Sequence, residues 1–114
     1  MNLRSLERAE PFITKDGSTI RELHHTDVQS LAEAALEPDQ ATERHYHGRT
    51  EEIYFVTKGS GSLEVDGETR TVRPGDAVLI PPRAWHMLEN DGTSELLILC
   101  MCSPPYSDED TFFS

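Results

Sequence analysis

His45 and His47 are separated by one residue, the spacing that places two imidazoles on one face of an extended strand. Glu52 follows five residues after His47, and the intervening residues 48–50 are typical of a turn into a second strand. His86 comes much later in the chain. Imidazole and carboxylate ligands together suit Mn, Fe, Co, Ni or Zn. The spacing predicts one divalent transition metal ion with coordination positions left open, and its four ligands are His45, His47, Glu52 and His86.

The same four ligands also suit a closed, tetrahedral zinc site with a structural role, and their spacing leaves this alternative open. The two cysteines, Cys100 and Cys102, are two positions apart on one strand face, a poor geometry for a mutual disulfide. We expect both to be reduced and to lie outside the metal site. His24 and His25 are adjacent, so both cannot face inward, and we treat them as non-ligands.

Tyr54 has the same strand parity as Glu52, so its side chain is expected to face the interior with the metal ligands. Its hydroxyl group is therefore a candidate catalytic acid, base or substrate anchor. A tyrosine that is simply packed in the core is the alternative. Glu43 shares the parity of His45 and is a candidate partner of a metal-binding imidazole.

Between Glu43 and Cys102 the sequence consists of short strand-like runs separated by turn signals every eight to twelve residues. The predicted strands are 52–57, 62–65, 69–73, 77–80, 85–90 and 95–102. Asp66-Gly67 is a hairpin signal between two of them. This pattern is typical of an antiparallel sandwich or barrel, so we predict an all-β domain.

Residues 30–37 carry conflicting signals. Ser30 and Glu33 resemble a helix capping box, and the alanines and leucines that follow favour a helix. Pro38 limits this helix to about two turns, a marginal length that an all-β context can override. We predict a strand here.

Several predicted strands are apolar on both faces, which requires cover outside the barrel as well as inside. We expect either a homodimer or an N-terminal strand lying across the outside. The chain is interpreted as one domain with three parts: 1–40 as an N-terminal extension and first strands, 41–102 as the barrel core, and 103–114 as a C-terminal tail. Phe112 and Phe113 either dock on a neighbouring surface or belong to a disordered end.

Composition limits the partners. The chain has 114 residues, with 10 Lys and Arg against 21 Asp and Glu, and it has no basic run that could follow phosphates. Nucleic acid is therefore an unfavourable partner, and a small molecule is the expected ligand. The longest apolar run, 96–102, is far shorter than a membrane span, and the first ten residues lack the apolar core of a signal peptide. We expect a cytoplasmic protein that has no membrane partner.

Two groups of residues follow the order of a known pair of motifs. The first group is His45, His47, Glu52 and Gly59, and the second is Gly75, Pro81, His86 and Asn90. These motifs resemble those of the cupin superfamily, and the resemblance covers about half of the chain. It implies an antiparallel barrel of the jelly-roll type with two sheets around a ligand cavity. It also implies the metal ligands that the spacing had indicated, His45, His47, Glu52 and His86.

Arg83 departs from this pattern, since the family usually has glycine at its position. If the turn needs a positive φ, an arginine there is strained by roughly 1 kcal/mol. Three residues from His86, its guanidinium could hold a carboxylate or phosphate group of a substrate with two hydrogen bonds. A solvated arginine on a surface turn is the alternative interpretation.

Two functions are compatible with these residues. One is a metal-dependent enzyme acting on a small polar metabolite by isomerisation, oxygenation or decarboxylation. The other is a non-catalytic module that binds or sequesters a metabolite at the same metal site. Because one fold hosts many reactions, the resemblance does not choose between them.

Overall fold

The computed structural model describes residues 1–114 and consists almost entirely of antiparallel strands. The strands are β1 (Phe12–Ile13), β2 (Thr19–His25), β3 (Ser30–Leu36), β4 (His45–His47), β5 (Glu51–Lys58), β6 (Gly61–Val65), β7 (Glu68–Val72), β8 (Ala77–Ile80), β9 (His86–Glu89), β10 (Leu96–Ser103) and β11 (Thr111–Phe113). Short 3-10 turns cover Leu6–Arg8 and Asp108–Asp110. No helix has the length and apolar character that a membrane crossing requires.

The strands form two sheets. The six-stranded sheet has the order β1-β2-β3-β10-β5-β8, and the five-stranded sheet has the order β11-β4-β9-β6-β7. The apolar core between them includes Leu36, Val56, Ile80, Leu88 and Ile98, each almost fully buried. This architecture confirms the predicted all-β antiparallel jelly-roll barrel.

The segment with conflicting signals is a strand, as predicted. β3 pairs with β2 on one side and with β10 on the other, so its backbone groups are satisfied by two neighbouring strands. Ala34, Ala35 and Leu36 are buried. Tertiary pairing and burial therefore outweigh a helix propensity that could fill only about two turns.

The Asp66-Gly67 hairpin joins β6 to β7. Both residues have positive φ, 48° and 88°, which is the backbone conformation of the tight hairpin turn that the dipeptide predicts. This turn also fixes the approach to β9, because Asp66 accepts a hydrogen bond from the backbone N–H of Trp85 at 2.9 Å.

The outer face of the six-stranded sheet has an exposed apolar patch. Phe55, Leu79 and Met101 lie on β5, β8 and β10, and 39%, 55% and 48% of their surfaces are exposed. The expectation that an N-terminal strand covers this face is wrong, because β1 and β2 instead extend the sheet at its edge, beside β3. The homodimer stays a prediction.

The end of the chain is an ordered part of the barrel. β11 pairs with β4, opposing Thr111 to His47 and Phe113 to His45. The ring of Phe112 stacks on Tyr46 with 5.1 Å between the ring centres. Of the two alternatives for the two phenylalanines, docking describes this segment, and the surface they dock on belongs to the same chain.

Candidate metal centre

Three histidines meet inside the barrel because their strands are neighbours. His45 and His47 lie on β4, and β9 pairs with β4 so that His86 is directly opposite His45. Possible ligand atoms of the three side chains all lie within 4.8 Å of one another. All three residues are buried. The histidines that the sequence predicts as ligands therefore form a compact cluster that could hold a metal ion.

Glu52 reaches this cluster from β5, in the opposite sheet. Its Oε1 lies 3.3 Å from His47 Nε2 and 3.4 Å from His86 Nε2. Its Oε2 accepts a hydrogen bond from the thiol group of Cys102 at 3.3 Å. The structure thus brings all four predicted ligand residues to one place between the two sheets.

The hydrogen bonds around the rings set which nitrogen faces the cluster. His45 Nδ1 lies 2.6 Å from the carbonyl oxygen of Glu43, and His86 Nδ1 lies 3.0 Å from that of Ala84. A carbonyl oxygen can only accept, so both Nδ1 atoms carry the proton. In the neutral rings this leaves the Nε2 lone pairs free to bind a cation. Glu43 thus acts through its backbone and not through its carboxylate.

His47 has the same tautomer for a less direct reason. Its Nδ1 lies 3.1 Å from the hydroxyl oxygen of Thr111, and that hydroxyl group donates its only hydrogen to the carbonyl oxygen of Ser107 at 2.8 Å. Thr111 must therefore accept from His47. All three imidazoles then direct Nε2 away from their hydrogen-bonded side, which is the arrangement that a metal ion requires.

Two buried polar atoms in the cluster have no hydrogen-bond partner: Glu52 Oε1 and His86 Nε2. With His86 in the tautomer above, they are a carboxylate oxygen and a nitrogen lone pair only 3.4 Å apart. Two buried acceptors facing each other are unfavourable unless a cation lies between them, either a proton, as the raised pKa of His47 beside Glu52 indicates, or a metal ion. The residues present therefore fit a metal ion bound by imidazole and carboxylate.

The protonation equilibria of these groups are shifted from their ordinary values. Burial and the adjacent charge of His86 lower the pKa of His45 to about 4. Burial also acts to lower the pKa of His47, but the Glu52 carboxylate outweighs it and raises that pKa. Burial acts to raise the pKa of Glu52, but the imidazoles of His47 and His86 lower it well below the ordinary range. Glu52 is therefore an anion, ready to bind a cation.

A cavity of about 60 Å³ opens beside the cluster, and 12 of its 21 lining residues are hydrophobic. This is room for about four to six waters or a very small organic molecule. Tyr54 lines the cavity, and its ring centre is 5.8 Å from that of His86. Burial, with the Glu52 charge, raises the pKa of Tyr54 well above its ordinary value. Its hydroxyl group is therefore neutral and can donate a hydrogen bond.

Arg83 does not line this cavity. It has the positive φ, 70°, of a position that favours glycine, and its backbone N–H donates to the carbonyl oxygen of His47 at 2.7 Å. Its side chain is exposed and borders an outer pocket with Tyr46, Trp85 and Phe112. The expected contact of Arg83 with a substrate at the metal therefore has no support from its position, which agrees with the surface-turn alternative.

Sequence reasoning missed Asp16 and Thr111, and it placed Cys102 outside the site although its thiol group donates to Glu52. Asp16, on the loop between β1 and β2, lines the cavity with its Oδ2 3.9 Å from His45 Nε2. Thr111 orients His47 from β11. Asp16-Gly17-Ser18 is recognisable as a turn. Neither residue has a periodic relation to the histidines, so only the fold brings them together.

Comparison with known proteins decides the family. Residues 32–102 match the model of the cupin domain, which is more than half of the chain. The chain belongs to the cupin family. Two curated relatives show how this cupin is related to others. An uncharacterized protein of Methanocaldococcus jannaschii is 46% identical over 110 residues, which cover 92% of this chain and 88% of that protein. An oxalate-binding protein of Thermotoga maritima is 26% identical over 81 residues, 71% of this chain and 67% of that protein.

Several other curated relatives are matched over only about half of their own length. Among solved structures, that of KdgF from Halomonas sp. superposes on this cupin with a TM-score of 0.84 and 21% identity, covering 96% of this chain and 97% of KdgF. At this identity the likeness shows a shared fold alone.

Proposed function

We propose that this cupin binds one divalent transition metal ion, Mn, Fe, Co, Ni or Zn, through His45, His47, His86 and Glu52, and acts there on a small polar metabolite. The unpartnered pair of buried acceptors, Glu52 Oε1 and His86 Nε2, is the observation that carries this proposal. Once bound, the ion would polarise an oxygen atom of a ligand that entered the cavity.

The residues around the cavity support chemistry on a ligand of limited size. The apolar part of the lining excludes bulk water and so strengthens polar interactions with the ligand. Tyr54 is our candidate for donating a proton or a hydrogen bond, because its raised pKa keeps the hydroxyl group protonated. Isomerisation, oxygenation and decarboxylation are the reaction classes that such an oriented, partly dry site suits.

Metal titration tests the proposal directly. The purified protein is stripped with a chelator, each of the five ions is titrated by calorimetry, and the metal content of untreated protein is measured by elemental analysis. We expect one ion per chain and a large loss of affinity for Glu52→Gln. Asp91→Asn, which removes an exposed carboxylate, is the control and should bind as the wild type does. No binding of any of the five ions would overturn the proposal.

A non-catalytic module is the second candidate. The similarity to a protein named as oxalate-binding favours it, since that name describes binding and no reaction. Assays of the metal-loaded protein with sugars, keto acids and dicarboxylates, with and without oxygen, separate the two candidates. Turnover that Tyr54→Phe abolishes while metal affinity is retained would support the enzyme. Tight binding of one compound without turnover would support the module.

A further inference from the structure

We propose that the cavity selects a small uncharged ligand bearing hydroxyl and carbonyl groups, and that Asp16 accepts a hydrogen bond from a hydroxyl group of this ligand. The inference rests on the proposed metal binding, because the ligand is expected to occupy the cavity beside the bound ion.

Asp16 is held rigidly at the cavity. Its Oδ1 accepts three hydrogen bonds, from Thr14 Oγ1 at 2.7 Å, the Ser18 N–H at 2.9 Å and Ser18 Oγ at 2.7 Å. Its carbonyl oxygen accepts from the N–H of Glu43 at 2.8 Å, which ties the loop to the residues preceding β4. The other carboxylate oxygen, Oδ2, is the one 3.9 Å from His45 Nε2. One oxygen thus fixes the side chain, and the other remains as an acceptor beside the metal centre.

The charges lining the cavity disfavour an anionic ligand. Asp16, Glu22 and Glu52 are among the lining residues, whereas no lysine or arginine is. Glu22 is exposed, and its carboxylate lies 3.1 Å from His25 Nδ1, so only Asp16 and Glu52 count as interior charges. These two carboxylates balance the charge of a divalent ion, so the loaded cavity offers no net positive charge to a carboxylate or phosphate. In a mostly apolar cavity, the repulsion between an anion and Asp16 is poorly screened.

The hydrogen-bonding groups favour a neutral polyol or hydroxycarbonyl compound. Asp16 Oδ2 can only accept, so its partner must be a donor such as a ligand hydroxyl group. Tyr54 lines the same cavity, and its hydroxyl group can donate to a ligand oxygen. A compound with both hydroxyl and carbonyl oxygens satisfies both side chains. The cavity volume of about 60 Å³ restricts it to a few non-hydrogen atoms.

Dihydroxyacetone and oxalate test this selection, because they have the same number of non-hydrogen atoms but differ by two charges. Both are titrated by calorimetry into metal-loaded wild type, Asp16→Asn and Asp91→Asn. An asparagine can keep the three hydrogen bonds at Oδ1 while it replaces the charged acceptor by an amide donor. Asp91→Asn removes the same charge at an exposed position outside the cavity.

We expect Asp16→Asn to bind oxalate about tenfold more tightly than the wild type and dihydroxyacetone several-fold more weakly, with Asp91→Asn unchanged. Oxalate affinity that is equal in wild type and Asp16→Asn, or higher in the wild type, overturns the inference. Metal content is measured first on each protein. If the wild type binds none of the five ions, the proposed function falls together with this inference, whereas unchanged oxalate binding to loaded protein overturns the inference alone.

Discussion

The two faces of β4 carry opposite chemistries. His45 and His47 point inward to a cavity whose lining includes carboxylates, whereas Tyr46 between them lies on the outer surface. There its ring contacts Trp85 edge-on at 4.7 Å, and the guanidinium of Arg44 lies 5.0 Å over the Trp85 ring. Arg49 and Arg83 border the same outer pocket.

This contrast shows what strand alternation does and does not determine. Neighbouring residues on one strand belong to different environments because side chains alternate between the two faces of the sheet. Residues on turns, such as Arg83, follow no such rule. The contributions of the inner and outer faces can therefore be distinguished experimentally by substituting neighbouring residues on one strand.

Substitutions on β4 should produce the largest difference. His47→Gln removes one predicted ligand, and we expect metal affinity to fall by at least about 100-fold, since even outer-shell partners of metal ligands cost 10–100-fold. Tyr46→Phe changes the adjacent residue on the outer face and should leave the affinity unchanged. Calorimetric titration with Zn or Mn measures both. Equal losses in the two variants would contradict the assignment of the two faces.

Two adjacent residues on β8 allow the same comparison of inner and outer faces, with the free energy of unfolding as the measured quantity. Ile80 is 1% exposed in the core, and Leu79 is 55% exposed on the outer face. We expect Ile80→Ala to lower the free energy of unfolding by about 2–5 kcal/mol and Leu79→Ala by less than about 0.5 kcal/mol in a monomer. Urea unfolding of both variants measures these values.

The same Leu79→Ala variant tests the predicted homodimer. If a second copy covers this outer face, the substitution should raise the dimer dissociation constant, which sedimentation or light scattering across a range of concentrations would detect. Monomeric wild type at micromolar concentration would contradict the homodimer.

The inner face should also give the metal-free protein a pH-dependent stability. The pKa of His45 is about 4 in the folded chain and about 6.5 when unfolded, so the unfolded state binds more protons between these values. Stability should fall by about 3 kcal/mol as the pH decreases through this window. The stability that comes from the lowered pKa of Glu52 is lost only as the pH falls below 4.5, the ordinary value of its carboxyl group. The stability that comes from the raised pKa of His47 is complete below pH 6.5 and is lost as the pH rises above this value.

Urea unfolding of the chelator-treated protein at several pH values measures this dependence. His45→Asn should remove most of the change between pH 6.5 and 4, and His25→Asn, at an exposed position, should retain it. Equal slopes in wild type and His45→Asn would show that another group is responsible.

The sequence predicted the parts of this centre that obey a local rule. Strand parity was enough to place His45 and His47 together, and it also assigned Tyr54 to the cavity. Asp16 and Thr111 lay beyond this reasoning because the barrel brings them to the histidines from distant positions in the chain. The choice of a strand at 30–37 was correct because pairing on both sides outweighs a weak propensity.

Substitution of Arg83 is expected to have the smallest effect on stability, and it also tests whether this residue belongs to the outer face. Its φ of 70° raises the free energy of the folded state by about 1–2 kcal/mol for a non-glycine residue. Glycine would remove this strain, but its greater conformational entropy would stabilise the unfolded chain by about 0.4–1 kcal/mol. Arg83→Gly should therefore stabilise the protein by about 0.5–1 kcal/mol, whereas Arg73→Gly, outside the left-handed region, should destabilise it by a similar amount. Because Arg83 lies outside the cavity lining, oxalate affinity of the metal-loaded protein should not change. Weaker oxalate binding in Arg83→Gly than in Arg73→Gly would instead place its guanidinium within reach of the inner site.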